Sequence, residues 1–213
     1  IIFEVDRIRD GKSFTTRRVN AIQNGEAIFS CSISFQKREK GLSHQIKMPK
    51  IQGPEKLKSD LELRKDLQSK IPKDYLPMWL REREIETRQV EPVDLLKAKK
   101  LPPYRSTWMK PTGKLPTDER IHQALLLYVS DMGLLGAAVN PHEVNFMSKK
   151  FQSASLDHVM WFHGKVNFNN WILHHMHSPI SQNARGFSRG SIYTKSGKLI
   201  ASTAQEGLMR IWD

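Results

Sequence analysis

From Ile2 to Phe35 apolar and polar positions alternate with a period of two, in three runs: Ile2 to Ile8, Ser13 to Ala21 and Ala27 to Phe35. That period marks a strand with two unlike faces. Asp10-Gly11 and Asn24-Gly25 stand between the runs, and such pairs favour the tight turns whose twist suits a hairpin. Three strands in meander order are predicted. The alternation is lost from Lys37 to Pro77. There the charged run EKLKSDLELRKDLQSK spaces Leu57, Leu61, Leu63 and Leu67 for one short amphipathic helix, within what otherwise reads as a connector between two units.

The pattern resumes with strand-like EIETRQVEP and a weaker YRSTWMK, which meets Pro111 where a regular strand would continue. A 3.6-residue period then takes over. Thr117 or Asp118 after Pro116 can cap a helix, Asp118 and Glu119 suit its positive end, and Asn140-Pro141 stops it. One continuous helix from Asp118 to about Val139 is predicted, with Ile121, Ala124, Leu125, Tyr128, Met132, Leu135 and Val139 on its core-facing side. Four strands follow: SASLDHVMWFH, NNWILHHMHS, GFSRGSIYT and KLIASTAQEGLMRIW, the last two joined at Ser196-Gly197. GKSFTTRRVNAIQNGEAIFSCS near the start and RGFSRGSIYTKSGKLIASTA near the end share a Phe, an Arg, a turn glycine and an x-x-Ile strand in nearly the same register. Two copies of one unit, a long helix wrapped by antiparallel strands, give such a repeat. The first copy lacks its helix, and the chain starts at Ile1 inside a strand, so a fragment missing upstream elements is expected.

Composition narrows the class. At 213 residues, 38% hydrophobic and 26% charged, the chain can build a core in one or two domains. No run approaches the length of a membrane span, and neither a signal peptide nor membrane insertion is expected. Cys31 stands alone, which excludes an intrachain disulfide, fits a reducing compartment and suggests a small buried hydrophobe. A net charge of +12 attracts polyanions. The basic residues are scattered, without zinc-finger spacing, basic-region heptads or an RNA-binding aromatic motif, so nucleic acid is not the expected partner.

Three positions carry candidate chemistry. Asp131, in LLLYVSDMGLLG, falls by angular count on the apolar side of the helix; it is either an acceptor that orients water or a hydroxyl, or a helix-edge carboxylate reaching solvent or backbone. In SASLDHVMWFH, Ser155 and Asp157 would share a strand face and His158 the opposite one, so the three cannot make a nucleophilic triad within the strand. Gln205 shares its face with Ala201 and Thr203, a small strip suited to a pocket floor, unless this is an edge facing water. Glu206 points the other way, and Gly207 suggests a bulge or the close approach of another backbone. His175 and His177 could offer two metal ligands, yet no thiolate set or HExxH accompanies them, and no metal or other cofactor is expected. Trp79, Trp108, Trp161, Phe162, Trp171 and Trp212 sit in separate elements and are expected in the core.

RIRDGKSFTTRRVNAIQNGEAIF, YVSD, SLDHVMWFH and ASTAQEGLMR together, in this order from Ile2 to Arg210, resemble the type II acyl-CoA thioesterase family. The resemblance is weakest over Lys37 to Pro77. It implies an α+β double hotdog, antiparallel sheets each wrapped around a long helix, with the N-terminal hotdog incomplete in this chain. Residues 1–45 would be the C-terminal part of the first hotdog, 46–80 a connector, and 81–213 the second hotdog. It also implies that Asp131, Ser155 and Gln205 bind the hydrolytic water, Ser155 replacing the commoner Thr, and that acyl-CoA is the substrate. Arg185 matches the family pattern without an assigned role. A homo-oligomer is expected, in bacterial cytoplasm or, alternatively, the peroxisomal matrix. Two other classes stay open: a hydratase or dehydratase on the same fold, for which His142 is the candidate base, and a protein that binds acyl-CoA or nucleic acid without turnover.

Overall fold

The structure is a computed structural model that describes residues 1–94 and 96–212. The chain forms two compact units, Ile1–His44 and Gln45–Asp213. In the first, β1 (Ile2–Asp10), β2 (Phe14–Gln23) and β3 (Glu26–Gln36) make an antiparallel sheet in the order β1-β2-β3. Asn24 and Gly25 both take positive φ, 53° and 82°, as the two-residue hairpin turn between β2 and β3 requires. With a single layer, this unit buries little. Ala21 is its one buried hydrophobic residue among those described, and Phe3, Val5, Phe29 and Phe35 are exposed. Cys31, expected to be buried, is half-buried for the same reason.

The second unit begins with short helical pieces. α1 (Asp60–Asp66) starts at a capping box in which Ser59 and Glu62 exchange hydrogen bonds, satisfying two of the donors a helix start leaves free. Its buried residue is Arg64, which pairs with Asp60 at 2.9 Å and donates to Arg81 O at 3.1 Å. α2 (Leu76–Trp79) completes the lead-in. After it come β4 (Ile85–Gln89), β5 (Tyr104–Pro111), α3 (Glu119–Ser130), α4 (Leu134–Val139), β6 (Phe151–Ser155), β7 (Val159–Phe162), β8 (Ile172–Gln182), β9 (Arg185–Thr194) and β10 (Leu199–Ile211). The sheet is seven-stranded and antiparallel, ordered β4-β5-β8-β9-β10-β6, with β7 also on β10. Pro111, the doubtful residue of the edge, is the last residue of β5, where it pairs in register with Ile85, and Thr112 N donates to Glu84 O at 2.9 Å just beyond it.

Both faces of this sheet are covered. On one, Leu126 and Val129 of α3 pack with Met109, Phe168, Ile172, Ile192, Ile200 and Ala201. On the other, Trp108, Leu173 and Tyr193 are covered by Met48, Ile51 and Leu57 from the stretch before α1, and the Trp108 indole donates to Gln52 O at 2.9 Å. Trp108 is the tryptophan found in the core; Trp161 and Trp212 are half exposed, against expectation, Trp161 lying on the edge strand β7 and Trp212 just beyond the end of β10.

The long helix also departs from expectation. It is interrupted at Asp131–Gly133, where Gly133 takes φ 82°. Its buried face carries His122, Leu126, Val129 and Ser130, while Ile121, Tyr128 and Met132 of the predicted core face are exposed. His122 tolerates burial because Nε2 meets Pro116 O at 2.8 Å and Nδ1 accepts from Phe168 N at 3.1 Å. The 119–139 stretch is long and apolar enough to cross a bilayer by composition alone, but here it is broken and packs on the sheet. The strand expected over 153–163 is likewise two strands, β6 and β7, parted by Leu156–His158.

Candidate active site

Asp131 is the C-cap of α3. The turn through Gly133 takes the chain out of the helix just beyond it, and the carboxylate reaches toward β6 and β10. Ser155 is the last residue of β6, opposite Gly207 of β10. Gln205 lies two residues earlier on β10, on the buried face with Ala201 and Thr203, and is 1% exposed. The three side chains meet. Ser155 Oγ donates to Asp131 Oδ1 at 3.2 Å, and Gln205 Nε2 donates both to that same oxygen and to Ser155 Oγ, the latter at 2.9 Å. Asp131 and Ser155 are exposed, so the cluster has an open side and a buried one.

The break between β6 and β7 makes the opening. Opposite Gln205 and Glu206, β10 has a loop beside it instead of a strand. That loop is pinned through Leu156 N to Glu206 O at 3.0 Å and through Glu206 N to the Asp157 carboxylate at 2.8 Å. Asp157 is therefore a loop anchor. Gly207 keeps regular register, so no bulge occurs there. A Cβ at Gly207 would lie 2.7 Å from Leu135 Cδ1 and 3.2 Å from Ala154 O, so the close approach expected at this glycine is made by a side chain of α4 together with the backbone of β6. Arg185 pairs with Glu206 at 3.2 Å on the opposite face from Gln205.

Because it lies in the loop, His158 escapes the strand geometry that set it apart. Its Nε2 is 2.8 Å from Ser130 Oγ, whose proton goes to Leu127 O at 2.7 Å, so His158 donates and leaves Nδ1 as a buried acceptor. Burial lowers its pKa, opposed by the charges of Asp131 and Asp157. His142, the base considered for hydratase chemistry, is exposed. Behind the cluster, His174 is fully buried with Nε2 3.2 Å from Thr203 Oγ1, and burial drives its pKa down to about 3. His175 Nδ1 lies 3.0 Å from Ser106 Oγ. Among the described residues no group of three or more His, Cys, Asp or Glu side chains is placed to hold a metal.

A cavity of about 930 Å³ lies beyond α3, its walls including Ile85, Met109, Leu125 and Met132, with Arg105 and Gly133 beside them. Met132 and Gly133 directly follow Asp131.

Comparison with known proteins now bears on this geometry. The family model described as acyl-CoA thioesterase matches residues 79–208, and that described as the acyl-CoA thioesterase N-terminal domain matches residues 1–36. Acyl-CoA thioesterase 2 of Haemophilus influenzae is 35% identical over 210 residues, covering 99% of this chain and 73% of that protein. This chain belongs to the type II acyl-CoA thioesterase family. The family is one of thioester hydrolases. The crystal structure of acyl-CoA thioesterase II TesB2 from Mycobacterium marinum superposes with a TM-score of 0.78 at 35% identity, over 99% of this chain and 74% of that one. A protein of Alicyclobacillus acidocaldarius described as having a hot dog fold superposes with a TM-score of 0.74 at 16% identity, over 99% and 73%, which speaks for the fold.

Proposed function

We propose that the protein hydrolyses fatty acyl-CoA to fatty acid and coenzyme A with a water held by Asp131, Ser155 and Gln205. The observation that carries the reading is the contact of these three side chains, drawn from α3, β6 and β10, around one carboxylate oxygen. Two donors on Oδ1 fix the carboxylate and leave Oδ2 to take a proton. A water on the open side attacks the thioester carbonyl while Asp131 accepts its proton. Collapse of the tetrahedral adduct breaks the C–S bond, and the proton passes to the departing thiolate. A thioester is reactive enough to need no covalent intermediate, and no histidine base touches Ser155 among the described residues. The cavity beside Met132 supplies an apolar wall for the acyl chain, and the net charge of +12 favours the phosphates of coenzyme A.

In the same reading the fold is a double hotdog. Residues 1–45 belong to the first, 46–80 connect, and 81–213 form the second, which holds the site. The location in this reading is the bacterial cytoplasm, with the peroxisomal matrix as the alternative. The test is thiol release from palmitoyl-CoA. Asp131→Ala and Gln205→Ala should each lower kcat by about a hundredfold or more. Undiminished rates in both would end the assignment, and crotonyl-CoA hydration in the parent protein would redirect it to a hydratase.

A further inference from the structure

The carboxamide of Gln205 has two ends, and only one is accounted for. Nε2 serves Asp131 and Ser155, whereas Oε1 is buried and has no partner among the described residues. A buried amide oxygen left unpaired is costly. Because this oxygen is closed to solvent, a water arriving on the exposed side of Asp131 and Ser155 does not reach it, so its donor comes from within the protein.

The strand register names that donor. Ser188 of β9 lies directly opposite Gln205 of β10, and both side chains enter the same buried face. Gly186 and Gly190 flank it on that face, so Ser188 is the one side chain β9 sends there between them. It is 1% exposed, and its Oγ is also buried without a partner among the described residues. Other hydroxyls on this side already have partners: Thr203 Oγ1 meets His174 Nε2, Ser130 bonds Leu127 O and His158, and Ser178 donates to Phe187 O. Directly opposed residues of antiparallel strands hold their Cβ atoms about 4.5–5.5 Å apart, a gap that a serine rotamer change or a single buried water closes.

We propose that Ser188 is a positioning residue whose hydroxyl, directly or through that water, donates to Gln205 Oε1 and so holds the carboxamide with Nε2 toward Asp131 and Ser155. The alternative orientation would set Oε1 against the Asp131 carboxylate. Ser188 and Asp131 thus select one amide orientation from opposite ends. This inference rests on the reading of Gln205 as part of the hydrolytic site.

The experiment is a double-mutant cycle on palmitoyl-CoA hydrolysis. Ser188→Ala should lower kcat by about three- to tenfold with KM held within about twofold, since Ser188 orients a group and does not touch substrate. Its melting temperature should fall modestly, because the exchange leaves the buried Gln205 Oε1 without its donor. In a Gln205→Ala background the same exchange should cost little further, roughly less than 1.5-fold, because its effect passes through the missing amide. An unchanged kcat in Ser188→Ala overturns the proposal. So does an equal fold loss in the presence and absence of Gln205, which would mark a general packing effect. If Gln205→Ala loses activity and Ser188→Ala does not, this inference alone falls; if Gln205→Ala is fully active, the hydrolytic reading falls and takes this one with it.

Discussion

At position 155 one hydroxyl donates to Asp131 and accepts from the Gln205 amide, so a single small side chain joins the carboxylate to the carboxamide. Both roles need only an O–H at the end of β6, and the position is exposed. Ser155→Thr should therefore retain kcat within about threefold, the added methyl finding open space, while Ser155→Ala should lose about tenfold or more. If the hydroxyl were instead a nucleophile, protein quenched during turnover would carry an acyl group on Ser155. Intact-mass measurement of quenched protein should find no adduct. Convergence of these residues was legible in the sequence only through resemblance, because no local period says that a helix end, a strand end and a strand centre meet. Gln205 was the partial exception, since its alignment with Ala201 and Thr203 placed it on a small-residue face that proves buried. His158 was set aside because an unbroken strand would have turned it away, and nothing local to SLDH announced the loop.

Elements that obey local rules were the readable ones. Asn24-Gly25 acts within two residues, and the Asp118 carboxylate accepts from Arg120 N as an N-cap should. The break after α3 was not readable in the same way, because an isolated glycine inside a helical period is ordinarily tolerated. The buried face was misjudged because Leu125, Leu126 and Leu127 leave the helix apolar on nearly every side. The sheet decides which side is used. Gly133, at φ 82°, is what lets Asp131 end one helix and α4 begin another. Gly133→Ala forces an L side chain into the left-handed region at about 1–2 kcal/mol, which for a chain of this size lowers the melting temperature by about 2–8 °C. Asn visits that region more readily, so Gly133→Asn should recover most of the loss in a thermal scan. Equal melting temperatures for the glycine and alanine proteins would show that the turn relaxes freely.

For the molecule as a whole, buried histidines set the response to acid. His174 is fully buried and its pKa falls from an ordinary 6.5 to about 3, chiefly through desolvation, with the neighbouring His158 and His175 adding in the same direction. Burial lowers His158 and His175 as well. A group whose folded pKa is depressed below its unfolded value takes up its proton first in the unfolded chain. Stability is therefore complete above pH 6.5 and drains away as pH falls toward 3, at up to about 1.4 kcal/mol per pH unit for His174 within that window. Carboxylates enter lower down: Glu62, lowered chiefly by the Ser59 backbone hydrogen bond, and Glu55, lowered by Lys195, lose their advantage as pH falls through their ordinary 4.5, and Asp118, held at about 2 by Arg120, below its ordinary 3.8. The upper part of the fall, from pH 6.5 to about 5, thus belongs mainly to the histidines. A molecule already at +12 also gains charge as histidines protonate, and that repulsion acts in the same sense. Substitution separates the two causes. Thermal unfolding of the parent protein should show a melting temperature that declines steadily from pH 7 to 4.5. His174→Gln keeps a hydrogen-bonding group near Thr203 but cannot titrate, so its decline should be visibly shallower, whatever its starting value. Parallel slopes for the His174→Gln and parent proteins would assign the acid sensitivity to overall charge and remove His174 from the account.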